Sequence, residues 1–186
     1  MTEVSSLTGR LLVATPALTD PNFDRAVVLL LDHDEEGSLG VVLNRPTPVG
    51  VGDILASWGE LAGEPGVVFQ GGPVSLDSAL GLAVIPGAEG PLGWRRVHGA
   101  IGLVDLEMPP ELLARALGSL RIFAGYAGWG PGQLEDELSE GAWYVVESEP
   151  GDVSCPRPES LWRAVLRRQR GELAMIATYP DDPSLN

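Results

Sequence analysis

Apolar positions along this chain fall in short, uninterrupted runs separated by turn residues. Residues 10–14, closed by Thr15-Pro16, form one such run, and residues 25–31 form a longer one rich in Val and Leu. Runs of this length without polar alternation predict strands covered on both faces. Polar residues 32–37 then predict a turn, and residues 39–43 run apolar again until Asn44-Arg45-Pro46, so the pair predicts a β-hairpin. Further strands are predicted at 67–70, where Gly71-Gly72-Pro73 ends the run, and at 79–85, 101–104, 121–124, 142–146 and 173–178.

Helical signals are fewer. A short helix is predicted over 51–58, with Asp53 in its first turn. Pro109 and Pro110 open a second, in which Leu113, Leu117 and Leu120 share one face at i, i+4 and i+7. Residues 125–132 are dense in glycine and predict a loop, followed by a short acidic helix over 133–138. The last helix is predicted over 159–170 with Gly171 as its cap. Its Leu161, Trp162, Val165 and Leu166 form an inner side, opposite Arg163, Arg167 and Arg170, with Arg168 nearby. There is no repeat or low-complexity segment, and the organisation expected is one domain over 9–178 between tails 1–8 and 179–186.

Charge changes the picture more than length does. The formal net charge is -14, and all 12 basic residues are arginine. Absence of lysine removes Schiff-base, P-loop-lysine and lysine-base chemistry. The acidic balance opposes nucleic acid and anionic membrane at long range, although screening beyond about 8 Å leaves room for a local basic patch. A lone cysteine, Cys155, allows no internal disulfide and no thiolate zinc cluster, and with no secretory signal at the start the expected location is cytoplasmic.

The glycine stretch is the best candidate for a binding loop, because glycines let backbone N–H groups approach a ligand. Gly128, Gly130 and Gly132 nevertheless read G-x-G-x-G, which matches neither the dinucleotide fingerprint nor the P-loop. The competing reading is a structural corner in which Trp129 plugs the core and the glycines hold positive φ. The acidic turn around His33 lacks metal-ligand spacing and reads as a solvated turn, so no metal and no cofactor are expected. His98 has no serine or cysteine nucleophile beside it, and no serine occupies a G-x-S-x-G elbow.

Several ordered blocks together resemble one family. They are Leu12-Val13-Ala14-Thr15-Pro16, Asp20-Pro21-Asn22-Phe23, the strand ending at His33, Gly40-Val41-Val42-Leu43-Asn44-Arg45-Pro46 and Gly71-Gly72-Pro73-Val74. The blocks continue with the stretch from Gly125 to Glu135, then Trp143 and Leu161-Trp162. This order is similar to the bacterial YqgE/AlgH family over nearly the whole chain. The resemblance implies a single α+β domain with a mixed, strongly curved, barrel-like sheet flanked by a few helices. The family defines no catalytic residue to carry over. Some members bear a transcriptional-regulator label linked to exopolysaccharide production, which sits poorly with a chain so acidic and without a helix-turn-helix.

Three functional readings follow. In the first, a non-enzymatic binding or regulatory protein engages a protein partner or small ligand at a surface formed by Asn44, Arg45, Gly71 and Gly72 with Gly128, Trp129, Gly130, Gln133 and Glu135. In the second, an enzyme takes a small anion at the glycine loop, with Arg45 as a charge clamp and Glu135 or Asp20 as acid/base. The third is direct DNA binding by the last helix. Four arginines there would give a salt slope of only about -3.6, so this binding is expected to be weak.

Overall fold

The computed structural model describes residues 6–87 and 90–178; the predicted C-terminal tail and most of the N-terminal one lie outside them. Strands β1 (Leu11–Ala14), β2 (Val27–Asp34) and β3 (Gly37–Val42) pair antiparallel in sequence order. β4 (Pro46–Gly50), helix α1 (Val51–Ile54) and a 3-10 turn over Ala56–Trp58 lead to β5 (Val67–Gln70). Next come β6 (Val74–Val84), β7 (Trp94–His98), β8 (Ile101–Val104), the single turn of α2 (Glu111–Ala114) and the long β9 (Ser119–Trp129). Helix α3 (Gln133–Ser139), β10 (Trp143–Val146), α4 (Pro150–Val153), α5 (Leu161–Arg167) and α6 (Glu172–Ile176) complete the described residues.

The ten strands of the described residues form one strongly curled, half-barrel sheet in the order β10-β1-β2-β3-β9-β6-β8-β7, with β4 and β5 off this path. The α+β architecture and the mixed, curved sheet are those the family resemblance implies. The mixed character comes from β5, which runs parallel to β9 through Phe69↔Phe123 and Gln70↔Ala124. Because β6 pairs with β9 from Ser119 to Tyr126, β3 and β5 must share the opposite edge of β9.

The unbroken apolar runs are explained by two cores. Leu11, Val13, Val27 and Leu29 face one cluster, closed by Leu161, Trp162, Val165 and Leu166 of α5. Leu12, Ala14, Val28 and Leu30 face the other, closed by Trp129, Leu134 and Trp143. β1 and β2 therefore bury both faces. The Trp162 indole N–H donates to the Ala14 carbonyl at 2.8 Å, fixing α5 to the strand end.

Four predicted elements differ. The helix expected through Leu120 stops at Ala114, because Gly118 N–H donates to the Val84 carbonyl and the next residue enters β9; sheet pairing outweighs the leucine spacing. Residues 173–178, expected as a strand, carry helix α6, whose Leu173, Ile176 and Ala177 lie at i, i+3 and i+4 towards the core. The polar turn expected over 32–37 shrinks to Glu35-Glu36, with β2 running on to Asp34. The glycine stretch is not a loop: β9 runs through it to Trp129.

Candidate functional site

The strand character of the glycine stretch divides the expected site in two. At one end of β3, Arg45, Gly72, Asn22, Gln70, Pro21 and Pro73 line a cleft of about 220 Å³. Asn44, predicted to face a ligand, instead builds the floor. Its Oδ1 accepts the Val27 N–H at 3.0 Å and its Nδ2 donates to the Arg25 carbonyl at 2.9 Å, locking the turn to β2. Gly71 N–H donates to the Ala124 carbonyl and the Gly71 carbonyl accepts from Val42, so Gly71 is consumed by the sheet. A Cβ on Gly71 would meet the Gly125 carbonyl, and one on Gly72 the Tyr126 backbone. These glycines are needed for close strand approach, and ligand recognition in the cleft falls to side chains.

Arg45 donates to the Asp24 carbonyl and is half-buried. Burial pulls its guanidinium below the ordinary arginine range, and Asp24 partly offsets this, so it remains a cation at neutral pH. Among the described lining residues there is no carboxylate. Asp20, one of the two acid/base candidates, accepts the Asn22 N–H in a local turn at 2.9 Å.

The other half lies at the far end of β3, four residues or roughly 13 Å along the strand. Trp129 is 6% exposed, as expected for a core plug; it stacks on Phe23 and meets Trp143 edge to face. The positive φ expected throughout the stretch occurs at Gly125 and Gly132 but not at Gly128 or Gly130, and a Cβ on Gly130 would meet nothing nearer than 3.9 Å. Gln133 Oε1 accepts the Gly130 N–H, and its Nε2 donates to Glu137 at 3.0 Å. The same Glu137 carboxylate accepts both the Trp129 indole at 3.1 Å and the Trp143 indole at 2.9 Å. Gln133 is thus a structural brace.

Glu135 does not converge on Arg45. Its Oε1 lies 3.3 Å from His33 Nε2, and His33 Nδ1 lies 2.6 Å from Ser38 Oγ. His33, expected in a solvated turn, is 4% exposed within β2, whereas Asp32, Asp34, Glu35 and Glu36 face solvent. Sequence reading missed the His33–Ser38 pair, Asn22 and Gln70. The first had a usable signal: residues facing each other across a tight hairpin, here in register at His33↔Ser38, have side chains on one face.

Elsewhere, Arg168 grips the buried Asp152 with two nitrogens at 2.6 and 2.7 Å and also reaches Glu149 at 3.2 Å. The hydrogen bond to Asp152 raises its pKa further. Arg163 donates to the Ala177 carbonyl at 2.6 Å. Arg121, 2% exposed, lies over the Phe69 ring and donates to the Glu64 and Cys155 carbonyls; burial brings its pKa down to about 10. Among the described residues no three His, Cys, Asp or Glu side chains gather to hold a metal, and no helix is long and apolar enough to cross a membrane.

This half-barrel, with its glycine-laced β9 and a cleft at each end of β3, has a fold shared with known proteins. The chain belongs to the family described as AlgH-like, whose profile matches residues 11–174. A UPF0301 protein of Streptomyces avermitilis is 87% identical over all of this chain and 98% of its own length, and one of Thermobifida fusca is 53% identical over 97% and 96%. A crystal structure of a Corynebacterium diphtheriae protein superposes with a TM-score of 0.89 at 30% identity, covering 96% of this chain and 95% of that one. The solution structure of the AlgH protein from Pseudomonas aeruginosa gives 0.69 at 29% identity, over 97% and 98%.

Proposed function

We propose that this is a cytoplasmic binding protein with a regulatory role, whose ligand presents an anionic group to Arg45 in the cleft beside Gly72. One observation carries the reading: in a chain of net charge -14, this cleft holds an arginine and two amide side chains and, among its described lining residues, no acid. The Arg45 fork offers paired donors to a phosphate or carboxylate, and the amides of Asn22 and Gln70 supply further donors. Among the described lining residues no acid/base pair faces the cleft, which supports binding over turnover there. A transcriptional role, if this protein shares one with members so labelled, is indirect: Arg163 and Arg168 of the last helix are engaged within the fold, which leaves a weak phosphate-binding face.

The test is thermal denaturation with inorganic phosphate or a nucleotide against chloride at matched ionic strength. The wild type gains stability with ligand concentration and Arg45→Ala does not. Equal stabilisation of both proteins, or of neither, overturns the reading.

A further inference from the structure

We propose that Ser38 is a nucleophilic serine, activated by His33 and positioned through Glu135, that accepts acyl groups from small esters. This site is independent of the Arg45 cleft. Three observations support it. Ser38 Oγ and His33 Nδ1 are 2.6 Å apart, within the reach a general base requires. Glu135 can only accept, so at 3.3 Å it selects the tautomer with its proton on Nε2, in which the Nδ1 lone pair faces the Ser38 hydroxyl. The imidazole is held in a buried position on a strand, while Ser38 is half-buried and opens onto a shallow cleft of about 240 Å³ with Trp129 and the hairpin acids. The arrangement of nucleophile, base and orienting carboxylate is recognised by geometry, whatever the chain order or the ring nitrogen used.

The chemistry closes on these groups and water. As Oγ attacks the acyl carbon, its proton passes to Nδ1; the ester C–O bond breaks and the leaving alkoxide takes that proton. A water molecule, deprotonated by the same nitrogen, then attacks acyl-Ser38, releasing the carboxylic acid and restoring the Ser38 hydroxyl. Asp32, Asp34 and Glu36 on the rim repel carboxylate-bearing esters and favour cationic ones.

Treatment of the full chain with diisopropyl fluorophosphate, followed by intact-mass and peptide analysis, tests the nucleophile. One adduct is expected, on Ser38, with fluoride lost. Ser38→Ala gives none, and His33→Gln, shown by circular dichroism to be folded, labels about 100-fold more slowly. Should His33→Gln fail to fold, the exposed Glu135→Gln serves instead: it slows labelling, and the 15N shifts of His33 move from the Nε2-protonated tautomer to a mixture, which a purely structural role would not produce. No adduct, an adduct elsewhere, or wild-type labelling in the folded variant overturns the proposal. Acetylthiocholine should be cleaved faster than acetylsalicylate, and the reverse order overturns the substrate class. Because Ser38→Ala leaves the Arg45 cleft intact, its phosphate response separates failure of this proposal from failure of the binding reading.

Discussion

The two ends of β3 are built on different principles. At the Arg45 end, backbone meets backbone: Gly71 and Gly72 lie against Gly125 and Tyr126 with no room for a Cβ, and the Gly71 amide and carbonyl are used by the sheet. At the α3 end, side chains do the holding. Glu137 collects two indoles and an amide, and His33 bridges Ser38 to Glu135. Glycine density in β9 therefore marks tight strand packing at Gly125, whereas Gly128 and Gly130, nearer the α3 end, leave room for a Cβ.

The sharpest way to break this contrast is Gly72→Ala. Its methyl group would enter the Tyr126 backbone, a contact that cannot relax by a rotamer change. The expected cost is about 3 kcal/mol, or a melting temperature lower by about 6 to 12 °C. A variant that melts like the wild type would remove the packing account of the cleft floor.

At the other end, Glu137→Ala leaves the Trp129 and Trp143 N–H groups and the Gln133 amide without their shared acceptor. A loss of about 2 kcal/mol is expected in denaturant unfolding, with altered tryptophan emission. Unchanged emission would show that the carboxylate does not organise the aromatic cluster.

Arg45→Ala should cost only about 0.5 kcal/mol, since its hydrogen bond to Asp24 is exposed, while the phosphate-dependent rise in melting temperature disappears. A large stability loss would make Arg45 a structural residue like Asn44. Smallest of all, Gly130→Ala should change stability by no more than about 0.5 kcal/mol in chemical denaturation, because φ is not positive there and the space is open. Strong destabilisation would restore the glycine corner that the sequence suggested.

Much of the sheet was legible because it is local. The β2–β3 hairpin and β5 follow from short apolar runs between turn residues, and α5 follows from the spacing of Leu161, Trp162, Val165 and Leu166. What was not legible is set by distant partners. Leu117 and Leu120 keep a helical spacing, yet Val84, far away in sequence, claims Ser119 for a strand. Gly125 and Gly128 look like loop residues until Gly71, Gly72 and Leu39 are placed against β9. Of the nine predicted site residues, Arg45 and Gly72 line one cleft. Glu135 went to a histidine whose burial depends on α3 docking, which composition cannot express.

The position of β9 also governs the order in which this chain can become a protein. β3, β5 and β6 all leave the ribosome before β9, and each keeps an edge that only β9 can occupy. The β2–β3 hairpin closes locally and early, whereas the curled sheet cannot assemble until Trp129 is free to pair with Ser38. A nascent chain stopped short of residue 119 therefore exposes three waiting edges at once, and synthesis of one eleven-residue strand covers all three.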